Sequence, residues 1–437
     1  MEKISSLLNG IILPFLIILC GIILARKIKL LSILRPTKFA KVITEASCDK
    51  KQSPFKSMCT ALAATLGVGN IAGVSTAITS GGAGAVFWMW IGAVMSMSVK
   101  YGEVALAVKY RNFSDKRGFY GGAMYTLNKS LNKHIGKKCS YMIGAIFSLL
   151  CIANSFVMGN VIQSNAAGAV FHEKSQLVGI ALSLGLLITA IAGFKKISDI
   201  TMYLIPPLSV VYIILSLAVI TRYYYLLPNI ILKIIKSAFS GKAVTGGLYG
   251  IGIKEAIRFG ITRGIFSNEA GCGTAPSAHA SANVKSPHHQ GCFGIFEVIT
   301  DTLILCSMTA FVVLISDSLH GTDLSCDGIK LTLRAFADLL GTAAYYIIGI
   351  SVILFAFATI IAQLHYGEIA IGYFTDCKPA KVLFIITSVI LCYLGATMNQ
   401  SSIWIWADLI IAIITVINTT VLIIFRNQIK EIAANNN

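Results

Sequence analysis

Two short strings rich in glycine and polar residues interrupt otherwise apolar stretches of this sequence of 437 residues. They read ALAATLGVGNIAG at residues 61–73 and FSNEAGCGTAP at residues 266–276. Glycine at this density weakens the interior of a helix, and the N–H and C=O groups that an unwound turn releases become binding groups. Half-helix N-termini attract anions, and half-helix C-termini offer carbonyl oxygens to cations. The two strings are therefore candidates for holding an anionic group and a cation.

The rest of the chain is apolar enough to place these strings inside a membrane. Hydrophobic residues make up 56% of the sequence and charged residues 13%, with a mean hydropathy of +0.76, whereas soluble domains are about 25% charged. A helix crosses a bilayer with about 20 mainly apolar residues, and such windows follow one another from end to end. We therefore expect a single all-α polytopic membrane domain, residues 1–437, with about eleven transmembrane helices.

The apolar runs and their interruptions predict one leading helix and ten further spans. The predicted spans lie near residues 9–26, 58–80, 84–108, 140–170, 176–194, 202–222, 246–284 (interrupted), 291–316, 342–371, 380–397 and 402–425. The two strings fall in the first and the sixth of the ten. Because each half then has five helices, an odd number, the second half (246–425) must be inverted relative to the first (58–222). Paired interrupted helices in inverted halves indicate a substrate and ion site at the midplane of the membrane.

The distribution of lysine and arginine predicts the orientation of these spans. With the leading helix 9–26 running from outside to inside, the cytoplasmic segments hold 24 basic residues and the outer segments hold eight. This bias follows the positive-inside rule, and it places the N-terminus outside and the C-terminus in the cytoplasm for a protein of the cell membrane. The segment 229–239 alternates apolar residues with Lys233 and Lys236, which is typical of an amphipathic helix on the outer surface.

Composition and spacing also exclude several classes of function. The net charge of +17 is spread over short loops, so it does not form the basic face of a nucleic-acid-binding protein. The eleven cysteines lack metal-binding spacing, and the glycine string at 67–73 lacks the preceding strand of a dinucleotide site. No His, Asp or Ser cluster has a catalytic arrangement, so we expect neither an enzyme nor a bound cofactor. A channel is a rival interpretation, because broken helices also line pores.

Six acids lie within or at the ends of the predicted spans and indicate a role, because ionisable groups are expensive to bury in a membrane: Glu103, Glu269, Glu297, Asp301, Glu368 and Asp408. Glu297 and Asp301 lie four residues apart on one helix face. They are expected to form structural pairs with Arg263 or Arg258, or to act in proton relay or gating.

Other ionisable residues are expected near the cytoplasmic side. Glu103 and Glu368 lie close to the ends of their spans, where burial costs less, and we expect them in structural ion pairs. His279 follows the second string, and we expect it to be solvated or to cap a helix.

Several longer strings resemble the alanine or glycine:cation symporter family of bacteria and archaea, whose members have the inverted-repeat fold of the bacterial leucine transporter. The resemblance covers nearly the whole chain, and its strings are GVGNIAGV, GGAGAVFWMW, AVKYR, GGAMY, RGIFSNEAG, AHA and LFAF. The string RGIFSNEAG, at residues 263–271, is the most specific of them. The resemblance implies a secondary active transporter that imports a small neutral amino acid, alanine or glycine, coupled to Na⁺ by alternating access.

The resemblance also implies which residues hold the amino acid and the cation. The amino acid is expected at the amides of Gly67, Val68 and Gly69, at the side chains of Asn70 and Gln163, and at three residues that close the pocket, Phe266, Asn268 and Gly271. The Na⁺ ligands are expected to be the carbonyls of Ala63, Leu66 and Ala358 and the hydroxyl of Thr359. Oxygen ligands suit a hard monovalent ion, and they leave H⁺ coupling open.

Three departures from the family pattern bear on this interpretation. Ala358 stands where the family usually has Ser, so one hydroxyl ligand is missing. Gln363 stands where members typically carry Trp, which predicts a larger or more polar pocket. Residues 81–84 read GGAG in place of GGPG, away from the implied ligands. Two alternatives therefore stay open: serine or another small amino acid as the substrate, and H⁺ as the coupling ion. We expect a monomer.

Overall fold

Helices dominate the computed structural model of this chain, which describes residues 7–45, 53–115, 118–239, 252–321, 328–398 and 403–434. A short antiparallel hairpin, β1 (Asn112–Ser114) with β2 (Gly118–Tyr120), is the sheet structure of the described residues. The predicted fold class, an all-α polytopic membrane protein, is confirmed.

The helices follow one another with short connections, as expected for a bundle in which neighbours along the chain also pack in space. They are α1 (Leu8–Ile28), α2 (Leu30–Ile33), α3 (Pro36–Glu45), α4 (Pro54–Thr65), α5 (Gly69–Gly81), α6 (Gly84–Lys109), α7 (Ala123–Ile135), α8 (Lys137–Val170), α9 (His172–Ala192), α10 (Phe194–Arg222), α11 (Leu227–Phe239), α12 (Ile253–Asn268), α13 (Pro276–His279), α14 (Pro287–His320), α15 (Gly328–Leu340), α16 (Thr342–Phe374), α17 (Lys378–Thr397), α18 (Ile403–Ile424) and α19 (Arg426–Ala434).

Nine of the described helices are long and apolar enough to cross a membrane, and α4 with α5 makes a tenth span bent by 52°. The predicted span at 246–284 corresponds to α12 and α13. Its first residues, 246–251, lie outside the described part of the chain, and α12 has sixteen residues, fewer than a span needs by itself.

The helix interruptions occur where glycine and polar residues are concentrated. α4 ends at Thr65, the backbone leaves helical geometry at Leu66 (φ −75°, ψ 67°), and α5 begins at Gly69. After α12 the chain turns through left-handed backbone at Glu269 (φ 50°) and Gly271 (φ 84°). Glycine adopts this conformation without steric cost, so the second interruption is compatible with its sequence.

The helix α6 lies at the centre of the bundle and packs against α1, α12 and α14. Most of its length is buried, which explains why it reads as a continuous apolar run and not as an amphipathic helix. The predicted amphipathic helix at 229–239 is present as α11. It packs on α6, where the indole of Trp88 donates to the carbonyl of Ala238 at 3.1 Å.

Candidate functional site

The first interruption is held by a glutamine from α8. Gln163 Oε1 accepts a hydrogen bond from the backbone N–H of Val68 at 3.1 Å. A β-carbon added to Gly67 would lie 2.6 Å from Gln163 Oε1 and 2.6 Å from Thr359 Oγ1, closer than atoms can approach. Gly67 therefore allows side chains of α8 and α16 to contact the unwound turn. Three residues predicted to bind the amino acid (Gly67, Val68 and Gln163) lie here next to Thr359, which was predicted to bind the cation.

Two of the expected cation ligands lie side by side next to this turn. The hydroxyl of Thr359 donates to the carbonyl oxygen of Ala63 at 2.8 Å and to that of Phe355 at 3.1 Å. Ala358 is fully buried beside Thr359, and its side chain offers a methyl group and no ligand atom. The donor set is made of oxygen, and no cluster of three or more His, Cys, Asp or Glu residues that could hold a metal occurs in the described ranges.

A small cavity adjoins the first interruption. It has an empty volume of about 200 Å³ and is lined by Leu66, Gly67, Asn70, Ile71, Tyr212, Leu305 and Phe355. Three of these residues were predicted from the sequence. The sequence did not indicate Tyr212 and Phe355, because a single aromatic residue in the middle of an apolar span is usually part of the core. The space within it that a water-sized sphere can occupy is about 10 Å³, room for about one water molecule, so an amino acid fits only after the lining residues move apart.

The second interruption is satisfied internally by Glu103. Its Oε2 atom accepts hydrogen bonds from the N–H groups of Gly271 and Gly273, each at 3.1 Å, and from the Asn418 amide at 2.9 Å. Glu103 forms the predicted structural ion pair, with Lys100 at 3.6 Å. The carboxylate is buried against the unwound turn, so only its expected place at the cytoplasmic interface was wrong. These amide donors are therefore not free to bind the carboxylate of a solute.

The remaining predicted residues of the second string have different surroundings. Phe266 lies next to the first interruption, 3.5 Å from the position of a β-carbon at Gly69, and its ring packs 5.2 Å from that of Trp404. Asn268 instead donates to the hydroxyl of Thr302 at 3.0 Å and accepts from the N–H of Ala270 at 2.9 Å. Phe266 can thus cover the first interruption. Asn268 and Gly271 do not line the small cavity, because their polar groups are bonded to Thr302, Ala270 and Glu103.

Gln363 braces the second interruption. Its amide donates to Glu269 Oε1 at 2.8 Å, and Glu269 Oε2 accepts from the hydroxyl of Thr274. Gly159 of α8 makes room for the glutamine, since a β-carbon there would lie 2.4 Å from Gln363 Cβ. The sequence predicted a pocket-lining role for Gln363, and the described geometry places it between the second interruption and α8.

A buried ion-pair network lies behind Glu103. Lys100 Nζ is 3.2 Å from Glu297 and 3.6 Å from Glu103, and the second oxygen of Glu297 lies 2.9 Å from the ring of His279. The prediction that His279 is solvated or caps a helix was wrong, because it is buried in this network. A lysine in the middle of an apolar span, such as Lys100, was the available signal for this cluster.

The arginine partners expected for Glu297 belong to other pairs. Arg263 Nη1 is 3.3 Å from Asp408, and Arg258 Nη1 is 3.4 Å from Glu255. The predicted pairing of Glu297 with an arginine was therefore wrong. The reason is geometric, since α6, and not α12, presents its basic side chain to this face of α14.

A larger cavity, of about 710 Å³, lies away from both interruptions. It is lined by Asn165, Gly168, Ala169, His172, Ser175, Ile329, Lys330, Ala396, Thr397 and Met398. These residues come from the ends of α8 and α17 and the starts of α9 and α15. None of them belongs to either glycine-rich string, so the smaller cavity is the better candidate for a binding site.

Comparison with known protein families gives a match over almost the full length. The model of the sodium:alanine symporter family matches residues 1–436. A sodium/alanine symporter of Methanococcus maripaludis is 36% identical over 82% of this chain and 78% of its own length. A probable sodium/glutamine symporter of Bacillus subtilis is 33% identical over 95% of this chain and 85% of its own length.

Comparison with solved structures finds a similar helical arrangement. The crystal structure of MhsT in complex with L-phenylalanine aligns with a TM-score of 0.50, at 12% sequence identity, over 86% of this chain and 99% of that one. At this identity the likeness concerns the fold, which is that of the bacterial leucine transporter, as the resemblance in sequence implied.

Proposed function

Because this chain belongs to the sodium:alanine symporter family, we propose that it imports a small neutral amino acid, alanine or glycine, together with Na⁺ across the cell membrane. The observation that carries the proposal is the small cavity beside Gly67 and Asn70, next to the oxygen pair formed by Ala63 and Thr359. An amino acid and a cation would be bound within one unwound turn.

The orientation of the amino acid follows from which backbone donors are available. Glu103 already accepts from the N–H groups of Gly271 and Gly273, so the carboxylate of the substrate is placed at the first interruption. In the bound state the substrate carboxylate would replace Gln163 Oε1 at the Val68 N–H and the Thr65 carbonyl at the Gly67 N–H. Gly67, Val68 and Gly69 then supply the amides, Gln163 and Asn70 supply side-chain polar groups, and Phe266 covers them. Serine is the nearest alternative substrate, and the sodium/glutamine relative makes glutamine a further candidate.

The proposed mechanism is alternating access. The halves 58–222 and 246–425 act as inverted repeats around the site, and one helical bundle rocks against the rest. The N-terminus lies outside, the C-terminus lies in the cytoplasm, and one chain suffices for transport. Na⁺ binding beside Ala63 and Thr359 stabilises the unwound turn in the form that accepts the amino acid.

Uptake into proteoliposomes tests the proposal. Purified protein is reconstituted and offered labelled alanine, glycine, serine or glutamine, first with an inward Na⁺ gradient and then with an inward H⁺ gradient at equal Na⁺. We expect accumulation of alanine or glycine with the Na⁺ gradient and none with the H⁺ gradient. Accumulation driven by the H⁺ gradient alone would show that H⁺, and not Na⁺, is the coupling ion. No accumulation of any of the four amino acids would reject the proposed transport function.

Replacing Thr359 with valine is expected to weaken Na⁺ dependence without changing the shape of the site. The hydroxyl that contacts the Ala63 carbonyl is lost, so the Na⁺ concentration for half-maximal uptake should rise about tenfold, the equivalent of about 1.4 kcal/mol. The measurement is initial uptake of labelled alanine against Na⁺ concentration. Thr387→Val is the matched control, since the Thr387 hydroxyl is exposed on α17. An equal rise of the half-maximal Na⁺ concentration in both variants would show that Thr359 is not a cation ligand.

A further inference from the structure

We propose that the end of α1 and the segment that follows it bind an anionic phospholipid. The acyl chains lie along α1, and the phosphate group lies at Arg26, Lys29 and Arg35. The site goes beyond the proposed symport function, because it holds a membrane lipid and not the transported solute. It uses the face of α1 that is turned away from the bundle.

That face of α1 carries large exposed apolar side chains. Leu7, Ile11, Phe15, Leu19 and Ile22 are between 37% and 63% exposed, and their spacing of three to four residues places them on one side of a helix. The opposite side of α1 is buried and packs against α6, α18 and α19. A helix that is long and apolar enough to cross a membrane presents such a face to acyl chains.

Positive charge begins where the apolar face of α1 ends. Arg26 follows Ile22 by four residues, so it lies on the same side of the helix. Lys29 ends the helix in left-handed backbone (φ 55°). Both basic side chains are exposed. A phospholipid whose acyl chains lie along α1 therefore has two cationic side chains beside its headgroup.

Two further basic residues extend this positive surface. Arg35 directly precedes α3 and Lys38 lies in its first turn, and both side chains are exposed. α3 is held against the bundle by Phe39, whose ring stacks on that of Phe296 at 6.5 Å. Leu31, between α1 and α3, is 84% exposed. Exposed apolar and basic side chains on one short segment are typical of a segment that lies in the membrane interface.

The described part of the protein does not balance these four charges. The ion pairs found there are formed by other side chains. Lys27, the neighbour of Arg26, instead donates to Asn427 Oδ1 at 3.2 Å. Residues 26–44 include six basic residues and no acidic one. Clusters of about four to eight lysines and arginines directly after a span bind anionic headgroups.

The charge favours a lipid over a second copy of this chain on the same face. In a symmetric dimer through α1, the same patch of both copies would meet, so Arg26 and Lys29 would face the like charges of the partner. A phospholipid with a net negative charge has the opposite sign, and it also supplies the acyl chains that cover the apolar face. A soluble phosphate would contact only the basic part of the site.

Lipid-dependent stabilisation tests the proposal. The purified full chain in detergent is titrated with dioleoylphosphatidylglycerol, dioleoylphosphatidylcholine or glycerol 3-phosphate, and the midpoint of thermal unfolding is measured. The test variant combines Arg26→Gln, Lys29→Gln and Arg35→Gln. The titration contains no amino acid and no ion gradient, so its outcome does not depend on the proposed function.

The matched control variant combines Lys133→Gln, Lys137→Gln and Lys138→Gln. These three lysines are also exposed, so the control loses the same charge as the test variant. They lie at the same end of the bundle, since the ring of His134 is 5.5 Å from that of Phe425, two residues before the partner of Lys27. The control therefore separates a lipid site at α1 from a general effect of surface charge.

We expect phosphatidylglycerol to raise the unfolding midpoint of the unsubstituted chain and of the control variant equally. Phosphatidylcholine and glycerol 3-phosphate should leave it unchanged. The test variant should need on the order of 100-fold more phosphatidylglycerol for the half-maximal rise, because each basic residue near an anionic surface contributes about fivefold. If the test variant does not fold, Arg26→Gln alone decides, with an expected shift of about fivefold.

Four results would overturn the site. They are no rise with phosphatidylglycerol, an equal rise with phosphatidylcholine, an equal rise with glycerol 3-phosphate, and equal shifts in the test and control variants. The second would show a response to any lipid, and the third would show that the apolar face of α1 takes no part in binding. The fourth would show that the effect comes from the total surface charge.

Discussion

Replacing Glu297 with glutamine is expected to lower the free energy of unfolding by about 3–5 kcal/mol, the usual cost of breaking a buried ion pair. The substitution keeps the shape of the side chain and removes the charge that faces Lys100 at 3.2 Å and His279 at 2.9 Å. Lys100 would then retain only Glu103, at 3.6 Å. The measurement is thermal or denaturant unfolding of the purified protein in detergent at constant lipid content.

Glu255→Gln is the matched control for this substitution. Glu255 pairs with Arg258 at 3.4 Å, but its side chain is 37% exposed, and an exposed pair contributes about 0–1 kcal/mol. A loss of stability in Glu297→Gln no larger than in Glu255→Gln would show that the buried network is not needed for the fold.

Replacing Gly67 with alanine is expected to reduce sodium-driven alanine uptake about five- to 150-fold, the equivalent of the 1–3 kcal/mol that overpacking costs. The new β-carbon would stand 2.6 Å from both Gln163 Oε1 and Thr359 Oγ1. Both groups would have to move, and the cavity wall and the cation ligand would change together. The measurement is the initial rate of uptake against the concentrations of alanine and Na⁺.

Gly73→Ala is the control, because a β-carbon at Gly73 would meet nothing within 4 Å. It changes the same residue type in the neighbouring turn of α5. Nearly unchanged uptake in this variant, beside a large loss in Gly67→Ala, would locate the effect at the unwound turn. Similar losses in both would instead point to a general effect of stiffening the helix.

Most of the fold was predictable because the bilayer restricts a chain to few structures. Long apolar runs in lipid must form helices to satisfy their backbone groups, so the fold class follows from composition and periodicity. The interruptions were predictable for a related reason, since the glycines around Gly67 and Gly271 weaken helices and the second of them needs left-handed backbone. Of the predicted span at 246–284, residues 246–251 lie outside the described part of the chain, and the rest is interrupted after α12 as its sequence predicted.

The sequence by itself determined the class of protein, the positions of the two interruptions and, through the family strings, the residues around Gly67. Only the tertiary structure decided the partners of the buried charges, because those depend on which helices face one another. Glu103 reaches the second interruption, Glu297 meets Lys100 of α6, and Asp301 meets Asn70 of α5. Such pairs are about 170 to 230 residues apart in sequence. Spacing within one helix cannot specify them, since a charge in the membrane interior takes whichever polar group the packing brings within reach.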